Sequence, residues 1–243
     1  MSGHAPPVAA VVLAGGSGTR LGLGGGQNKV YLEVGGRPLL AWSVQTLDAH
    51  PQIVSILVVA RSGDEQALAG TLESLAPTTP LQVVVGGPTR SASERAAFEA
   101  LGPSVRDGTI EVIVVHDGAR PFVSSAMLDR VITEATAHGA AIPGLAMHEP
   151  LFQLGTPPTV ALKLDPAPLR RVQTPQAFRA GPLLDAYDRA GAAGFEGVDT
   201  AEVVARFADL HARVVPGDPD NLKVTTPADV IRARSIAERR DGR

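Results

Sequence analysis

The chain has 243 residues, 44% of them hydrophobic, which suffices for one large α/β domain spanning residues 1–243 with a proper core. Its 22 Lys and Arg against 25 Asp and Glu leave a net charge of −3, which excludes a global positive field for binding nucleic acid or a membrane surface. The absence of cysteine excludes disulfides, thiolate metal sites and a cysteine nucleophile.

The first seven residues lack the positive region of a signal peptide, and no apolar run is long enough to span a bilayer. A cytoplasmic protein, with neither membrane nor nucleic acid as partner, is therefore expected. Val8 to Ala14 is a short apolar run, too short to favour a helix and suited to a buried strand. It breaks into Gly15-Gly16-Ser17-Gly18-Thr19-Arg20, where glycines leave the backbone N–H groups bare and Arg20 and Lys29 add positive charge. This pattern suits a nucleotide polyphosphate; a glycine-rich surface turn without a ligand is the alternative. A dinucleotide fingerprint is excluded because Thr19-Arg20-Leu21 stands where a third glycine is needed. A Walker loop is excluded because Asn28 precedes Lys29 and Val30 follows it.

Pro38 opens a helix carrying Leu39, Leu40, Trp42, Val44 and Leu47, which places Trp42 in a core or interface rather than against a base. Val- and Ile-rich runs follow at Ile53–Ala60, Leu81–Val85, Ile110–Val115 and Ala140–Leu145, separated by segments of helical spacing. Ser91-Ala92-Ser93-Glu94 fits a capping box, and Ser124 and Ser125 begin another helix. The alternation predicts an α/β fold, a doubly wound and mainly parallel sheet buried on both faces. Ligands of such sheets bind beyond the carboxyl ends of the strands. The loops of interest are therefore the glycine turn, Gly86 to Ser91, and His116 to Pro121.

Asp117 ends a buried strand, where it can bind magnesium or a sugar hydroxyl, or equally serve as a turn aspartate paired with Arg120. His116 reads as a packed loop histidine outside the site. Prolines at 150, 157, 158, 166 and 168 send residues 146–168 outside the main sheet as an extended arm. Thr174 precedes Pro175 and must be extended, so its hydroxyl can face a ligand or merely start a helix. Lys223, between Leu222 and Val224, reads by default as a solvated strand lysine. Arg232 to Arg243 reads as a solvated helix that frays.

The segments LAGGSGTRLG, NKVYLEVGGRPLL, VVGGPTRSASE, VHDGARPFV, QTPQAF and DPDNLKVTTPADV, in this order along nearly the whole chain, resemble the 2-C-methyl-D-erythritol 4-phosphate cytidylyltransferase family of the non-mevalonate isoprenoid pathway. The resemblance implies a doubly wound nucleotidyltransferase fold with a protruding arm, CTP and Mg2+ as reactants, a sugar-alcohol phosphate as acceptor, and a homodimer clasped by the arm. By the same resemblance Ala14, Gly15, Gly16 and Gly18 line the CTP loop, and Arg20 and Lys29 lie against the triphosphate and α-phosphate. Gly87 and Ser93 lie near the base and ribose. Asp117 bridges the ribose or metal region and the acceptor, while Arg120, Thr174 and Lys223 hold the acceptor. Arg20, Lys29 and Lys223 are the implied catalytic cations.

The departures cluster on the acceptor side. The family's Asp-Thr-x-Lys appears as Ala146-Met147-His148-Glu149, its Asp-Arg as Asp165-Pro166, and its Thr-Asp-x-Ala-Ser as Val198-Asp199-Thr200-Ala201-Glu202. Asn28 replaces the usual proline before the loop lysine. Two alternatives follow: a cytidylyltransferase for another alditol phosphate such as ribitol 5-phosphate, and a noncatalytic nucleotide-binding paralogue.

Overall fold

The computed structural model of the protein describes residues 5–16, 21 and 28–242. Strand β1 (Val8–Leu13) is followed by a 3-10 turn at Lys29–Tyr31, a small hairpin of β2 (Glu33–Val34) and β3 (Arg37–Pro38), and helix α1 (Leu39–Asp48). Then come β4 (Ile53–Ala60), α2 (Glu65–Glu73), β5 (Leu81–Val85), α3 (Arg90–Arg106), β6 (Val112–Asp117), α4 (Ser125–His138) and β7 (Ala140–Ala146). A second hairpin, β8 (Leu151–Leu154) and β9 (Val160–Leu164), interrupts the alternation. The chain closes with β10 (Arg170–Val172), β11 (Gln176–Arg179), α5 (Ala180–Ala192), α6 (Thr200–Phe207), β12 (Arg213–Pro216) and α7 (Pro227–Asp241).

The main sheet runs β5-β4-β1-β6-β11-β7, with β10 beside β7 on the β11 edge and β12 pairing with β7 in parallel. Its core strands are parallel; β10 and β11 run against them. Successive β1 residues point to opposite faces. Val8, Ala10 and Val12 meet Leu40, Val44 and Leu47 of α1 and Leu128 and Val131 of α4. Ala9 and Val11 meet Phe98 of α3, Leu183 and Tyr187 of α5, and Val203 of α6. Both sheet faces are thus covered, as continuous apolar strands require. The strand order reverses between β1 and β6, so a crevice opens beyond their carboxyl ends.

Three sequence expectations are corrected. His116 belongs to strand β6 rather than to a loop, because Val12 and Leu13 of β1 pair with His116 and Asp117, and Asp117 ends the strand as its sequence position implies. Helix α3 is capped two residues before Ser91: the Thr89 side chain accepts from the Ala92 N–H, so Ser91 is no capping residue. The basic C-terminal helix is docked, not merely solvated. Thr226 and Asp229 form a capping box, and Ala233, Ile236 and Ala237 bury against Val34, Leu39, Trp42 and Phe122. Trp42 also donates its ring N–H to the Val34 carbonyl at 2.9 Å, and is a core residue. Among the described residues, no helix is long and apolar enough to cross a membrane.

Candidate active site

The crevice at the β1/β6 reversal is a cleft of about 350 Å³. Gly15, Gly16, Lys29, Gly87, Ser93, Asp117 and Lys223 line it, so seven of the sequence-selected residues converge there. Ala14 is buried at the end of β1, with its N–H on the Val59 carbonyl at 2.9 Å. Gly18 and Arg20 lie outside the described residues.

Loop geometry follows from local sequence. Gly87 is obligatory: a Cβ there would come within 2.4 Å of the Ala92 Cβ, so only glycine lets the loop after β5 fold onto the start of α3. Ser93 ties that turn by donating its hydroxyl to the Gly87 carbonyl at 3.2 Å. On the opposite wall, Asn28 occupies the extended cap position before the 3-10 turn. Its Nδ2 donates to the Ala14 carbonyl and to Asp64 Oδ2 (3.0 Å), and its Oδ1 accepts from the Val30 N–H. This side chain joins the glycine turn, the lysine turn and the loop after β4. Lys29 is buried, with Nζ 3.1 Å from the Val224 carbonyl.

Asp117 is the electrostatic centre. Only 7% exposed, it places Oδ1 2.7 Å from Arg90 Nη1 and Oδ2 2.7 Å from Lys223 Nζ, with Arg120 Nε at 3.8 Å. Burial alone would raise its pKa; Arg90 and then Lys223 outweigh that and hold the carboxyl well below the usual carboxylate range. Lys223 is therefore no solvated strand lysine. It sits in a loop whose flanks, Leu222 and Val224, are both buried in the α7 core, which turns the intervening side chain toward Asp117.

Beneath the carboxylate lies a neutral support. The Thr174 hydroxyl accepts from the Asp117 N–H at 2.9 Å and lies 3.2 Å from His116 Nδ1, while His116 Nε2 lies 2.9 Å from the Arg120 carbonyl. Because that carbonyl can only accept, the proton sits on Nε2 and Thr174 donates to Nδ1. Burial pushes the His116 pKa down to about 4, so the ring is neutral. Thr174 is itself 4% exposed, and its hydroxyl acts on the cleft through Asp117 and His116. Arg120 donates Nη1 to the Asn221 carbonyl at 2.9 Å, yet its buried Nε has no hydrogen-bond partner among the described residues. Burial pushes its pKa down, and Arg171 and Arg90 oppose its charge further. Arg120 does not line the cleft itself but backs Asp117, whose charge partly offsets that effect.

Three contributors escape the sequence reading. Arg90 lies on the cleft wall, and Gln173 and Asn221 lash the Lys223 loop to the Thr174 loop through Gln173 Nε2 to the Asp218 carbonyl (2.9 Å) and Asn221 Nδ2 to the Thr174 carbonyl (2.8 Å). Arg90 had a signal: it is the first residue of a helix, where a cation opposes the helix dipole. Among the described residues no three His, Asp or Glu side chains converge on a metal position. Asp117 is the one carboxylate among the described lining residues. That donor set fits a magnesium ion held by one carboxylate and by substrate phosphates, rather than a protein-made cage.

Known proteins share this architecture. The profile of IspD, 2-C-methyl-D-erythritol 4-phosphate cytidylyltransferase, matches residues 8–239. A bifunctional enzyme IspD/IspF of Rhodopseudomonas palustris (strain TIE-1) is 35% identical over 232 residues, covering 96% of this chain and 56% of the relative. The corresponding enzyme of Bradyrhizobium diazoefficiens is 35% identical over 224 residues, covering 92% of this chain and 54% of the relative. The chain thus spans about half the length of the curated relatives it matches. Among solved structures, the 4-diphosphocytidyl-2C-methyl-D-erythritol synthase of Anaerococcus prevotii superposes with TM-score 0.83 at 27% identity, covering 96% of this chain and 97% of that one. The 2-C-methyl-D-erythritol 4-phosphate cytidylyltransferase of Thermus thermophilus does so with TM-score 0.73 at 27% identity, covering 96% and 99%. With a profile match over residues 8–239 and the same fold in solved members, the chain belongs to the IspD, 2-C-methyl-D-erythritol 4-phosphate cytidylyltransferase family.

Proposed function

We propose that this chain transfers the cytidylyl group of CTP to 2-C-methyl-D-erythritol 4-phosphate. An oxygen of the acceptor phosphate attacks the α-phosphorus, the bond to the β-phosphate breaks, and pyrophosphate leaves. The observation that carries this reading is the Asp117 carboxylate flanked by Arg90, Lys223 and Arg120 at the mouth of a glycine-lined cleft. An acceptor phosphate has its second pKa near about 6, so it is already largely dianionic at neutral pH and needs no general base. The chemical problem is to bring two anions together and to stabilise charge gathering on the α-phosphate.

Lys29, in the wall beside Gly16, is the cation for the α-phosphate; Lys223 and Arg120 bring in the acceptor. Gly15 and Gly16 offer backbone N–H groups to the triphosphate, while Gly87 and Ser93 shape the base and ribose end. Arg20 and Gly18 complete the triphosphate contacts by family resemblance. Each preorganised cation is worth about 3 kcal/mol of barrier. Asp117, with the triphosphate, would hold Mg2+, which supplies Lewis-acid stabilisation of phosphoryl oxygens when bound. The same reading makes the molecule a cytoplasmic homodimer. Its support for the dimer is the β8–β9 hairpin, whose Phe152, Leu154, Val160 and Leu162 are about half exposed or more (49%, 61%, 65% and 54%).

A second acceptor, an alditol phosphate such as ribitol 5-phosphate, is favoured by one observation: the arm carries Met147 and Pro166 where the family has threonine and arginine. Pyrophosphate release from CTP and Mg2+ with a panel of alditol phosphates tests both readings. Release with methylerythritol phosphate is expected. Release with ribitol phosphate alone would replace the first acceptor by the second, and release with none would leave a nucleotide-binding protein.

A further inference from the structure

We propose that Glu94 is a positioning residue for the transfer: with Tyr187 and Thr200 it clamps one edge of the Arg90 guanidinium, so that only the other edge reaches Asp117. The inference rests on the reaction proposed above. Arg90 and Glu94 stand one turn apart on α3, with Arg90 Nε 2.9 Å from Glu94 Oε1. Thr200 donates its hydroxyl to the same oxygen at 2.8 Å, and the Tyr187 hydroxyl donates to Oε2. Glu94, Tyr187 and Thr200 are each at most 1% exposed. The carboxyl therefore receives donors from three helices, α3, α5 and α6, and gives its charge to one cation.

Packing alone does not account for this carboxyl. Three helices can be joined there by apolar side chains as well or better, because a buried ion pair rarely outperforms a hydrophobic isostere. Glu94 does more for Arg90 than for the helices. Left with Asp117 alone, a guanidinium tends to pair with both carboxylate oxygens at once. Here Nε is committed to Glu94 and Nη1 meets Oδ1 of Asp117, so Oδ2 stays available to Lys223 and to an incoming group. Glu94 also offsets the cost of a cation at a helix N-terminus.

The clamp gives a role to a segment that departs from the family pattern. In Val198-Asp199-Thr200-Ala201-Glu202, Asp199 caps α6 by accepting the Glu202 N–H at 2.9 Å, and Glu202 accepts the Val198 N–H at 2.7 Å. This double cap fixes Thr200 as the first helical residue, with its hydroxyl on Glu94.

The test compares Glu94→Gln, Tyr187→Phe and Thr200→Val in the whole protein, alone and in an Arg90→Lys background. With CTP, Mg2+ and methylerythritol phosphate, Glu94→Gln is expected to lower kcat about tenfold, the worth of one charge-assisted bond, and to leave the KM for CTP within about threefold. In the Arg90→Lys background the same change should cost less than about twofold, because the guanidinium it positions is gone. A second readout needs no turnover. The Arg90 Nε–H, assigned in 15N spectra by its loss in Arg90→Lys, should exchange slowly in the wild type and at least about tenfold faster in Glu94→Gln. If Glu94→Gln fails to fold, Tyr187→Phe and Thr200→Val carry the test, each with kcat reduced two- to fivefold, on the order of one neutral hydrogen bond. Equal losses in both backgrounds, or an unchanged Nε–H exchange rate, would overturn the proposal. A wild type inactive with every acceptor would sink the proposed reaction, while the exchange rates would still decide whether Glu94 clamps Arg90.

Discussion

The cleft wall and the β8–β9 arm are built on opposite principles. In the wall the polar anchors are tied at more than one point: Asp117 by Arg90, Lys223 and Thr174, and Asn28 by Ala14, Asp64 and Val30. Asp117 ends a parallel strand, and Asn28 is tied to Ala14 just beyond another; the backbones of both strands are fixed on both faces by helices. In the arm the two strands pair only with each other, and their apolar side chains face solvent. Clustered charge is set against the rigid sheet, and exposed apolar surface is set outside it.

The contrast is broken most directly at Lys29. Replacing it by Ala should lower kcat by about two to three orders of magnitude, with CTP affinity falling less than about tenfold, if the ammonium acts chiefly on transition-state charge. Single-turnover rates and calorimetric titration with CTP separate the two effects. Equal turnover in the variant would remove Lys29 from the chemistry and leave the wall merely a binding surface.

A second effect belongs to the wall alone. The His116 pKa is pushed down to about 4 in the folded protein by burial, against about 6.5 for the unfolded chain. Between those values the unfolded state binds more protons than the folded one. Stability therefore rises with pH across that window, and is lost as pH falls from about 6.5 toward 4, by about 3 kcal/mol in all. Urea midpoints at pH 7, 5.5 and 4 check this. His116→Gln, which cannot titrate, should start from a lower stability and show a flatter profile over that range, and arm variants should keep the wild-type slope.

The wall was more legible in the sequence than its wiring. Ile53–Ala60 and Leu81–Val85 end where their Val- and Ile-rich runs end, and Asp117 was placeable because a carboxylate closed such a run. Local patterns misled where a distant partner decided. Ser91 and Glu94 have capping-box spacing, but Thr89 takes the cap and Glu94 turns inward to groups on α5 and α6. Lys223 is bracketed by apolar residues, as in a strand; only the docking of α7 on Leu222 and Val224 reveals that its side chain faces Asp117. Helix α7 itself reads as basic and solvated because few of its residues are apolar, yet Ala233, Ile236 and Ala237 fall on one face.

On the arm, replacing Leu154 and Leu162 together by Lys should change assembly and little else. Light scattering is expected to give the mass of two chains for the wild type and one for the variant. Both positions are exposed, so intrinsic stability should move by no more than about 0.5 kcal/mol per site, and CTP affinity should stay within about twofold. A variant that remains a dimer would break the assignment of the arm's apolar surface to a second copy.

The smallest effect sharpens the comparison inside the wall. Asn28 has φ −78° and ψ 123°, a backbone that proline adopts without strain, and proline is the family's usual residue there. The asparagine side chain therefore adds its ties to a turn whose backbone is already suitable. Asn28→Ala should cost about 1 kcal/mol of stability through the bonds to Ala14 and Asp64. Asn28→Pro loses the same bonds, but restricts the unfolded chain and should recover about 0.5 kcal/mol of that loss. Denaturant midpoints would give the order wild type, Asn28→Pro, Asn28→Ala, with turnover in both variants lower by only a few fold because the Lys29 turn keeps its shape. If Asn28→Pro instead lost turnover as severely as Lys29→Ala, the side-chain ties rather than the backbone would be what holds Lys29 in the cleft.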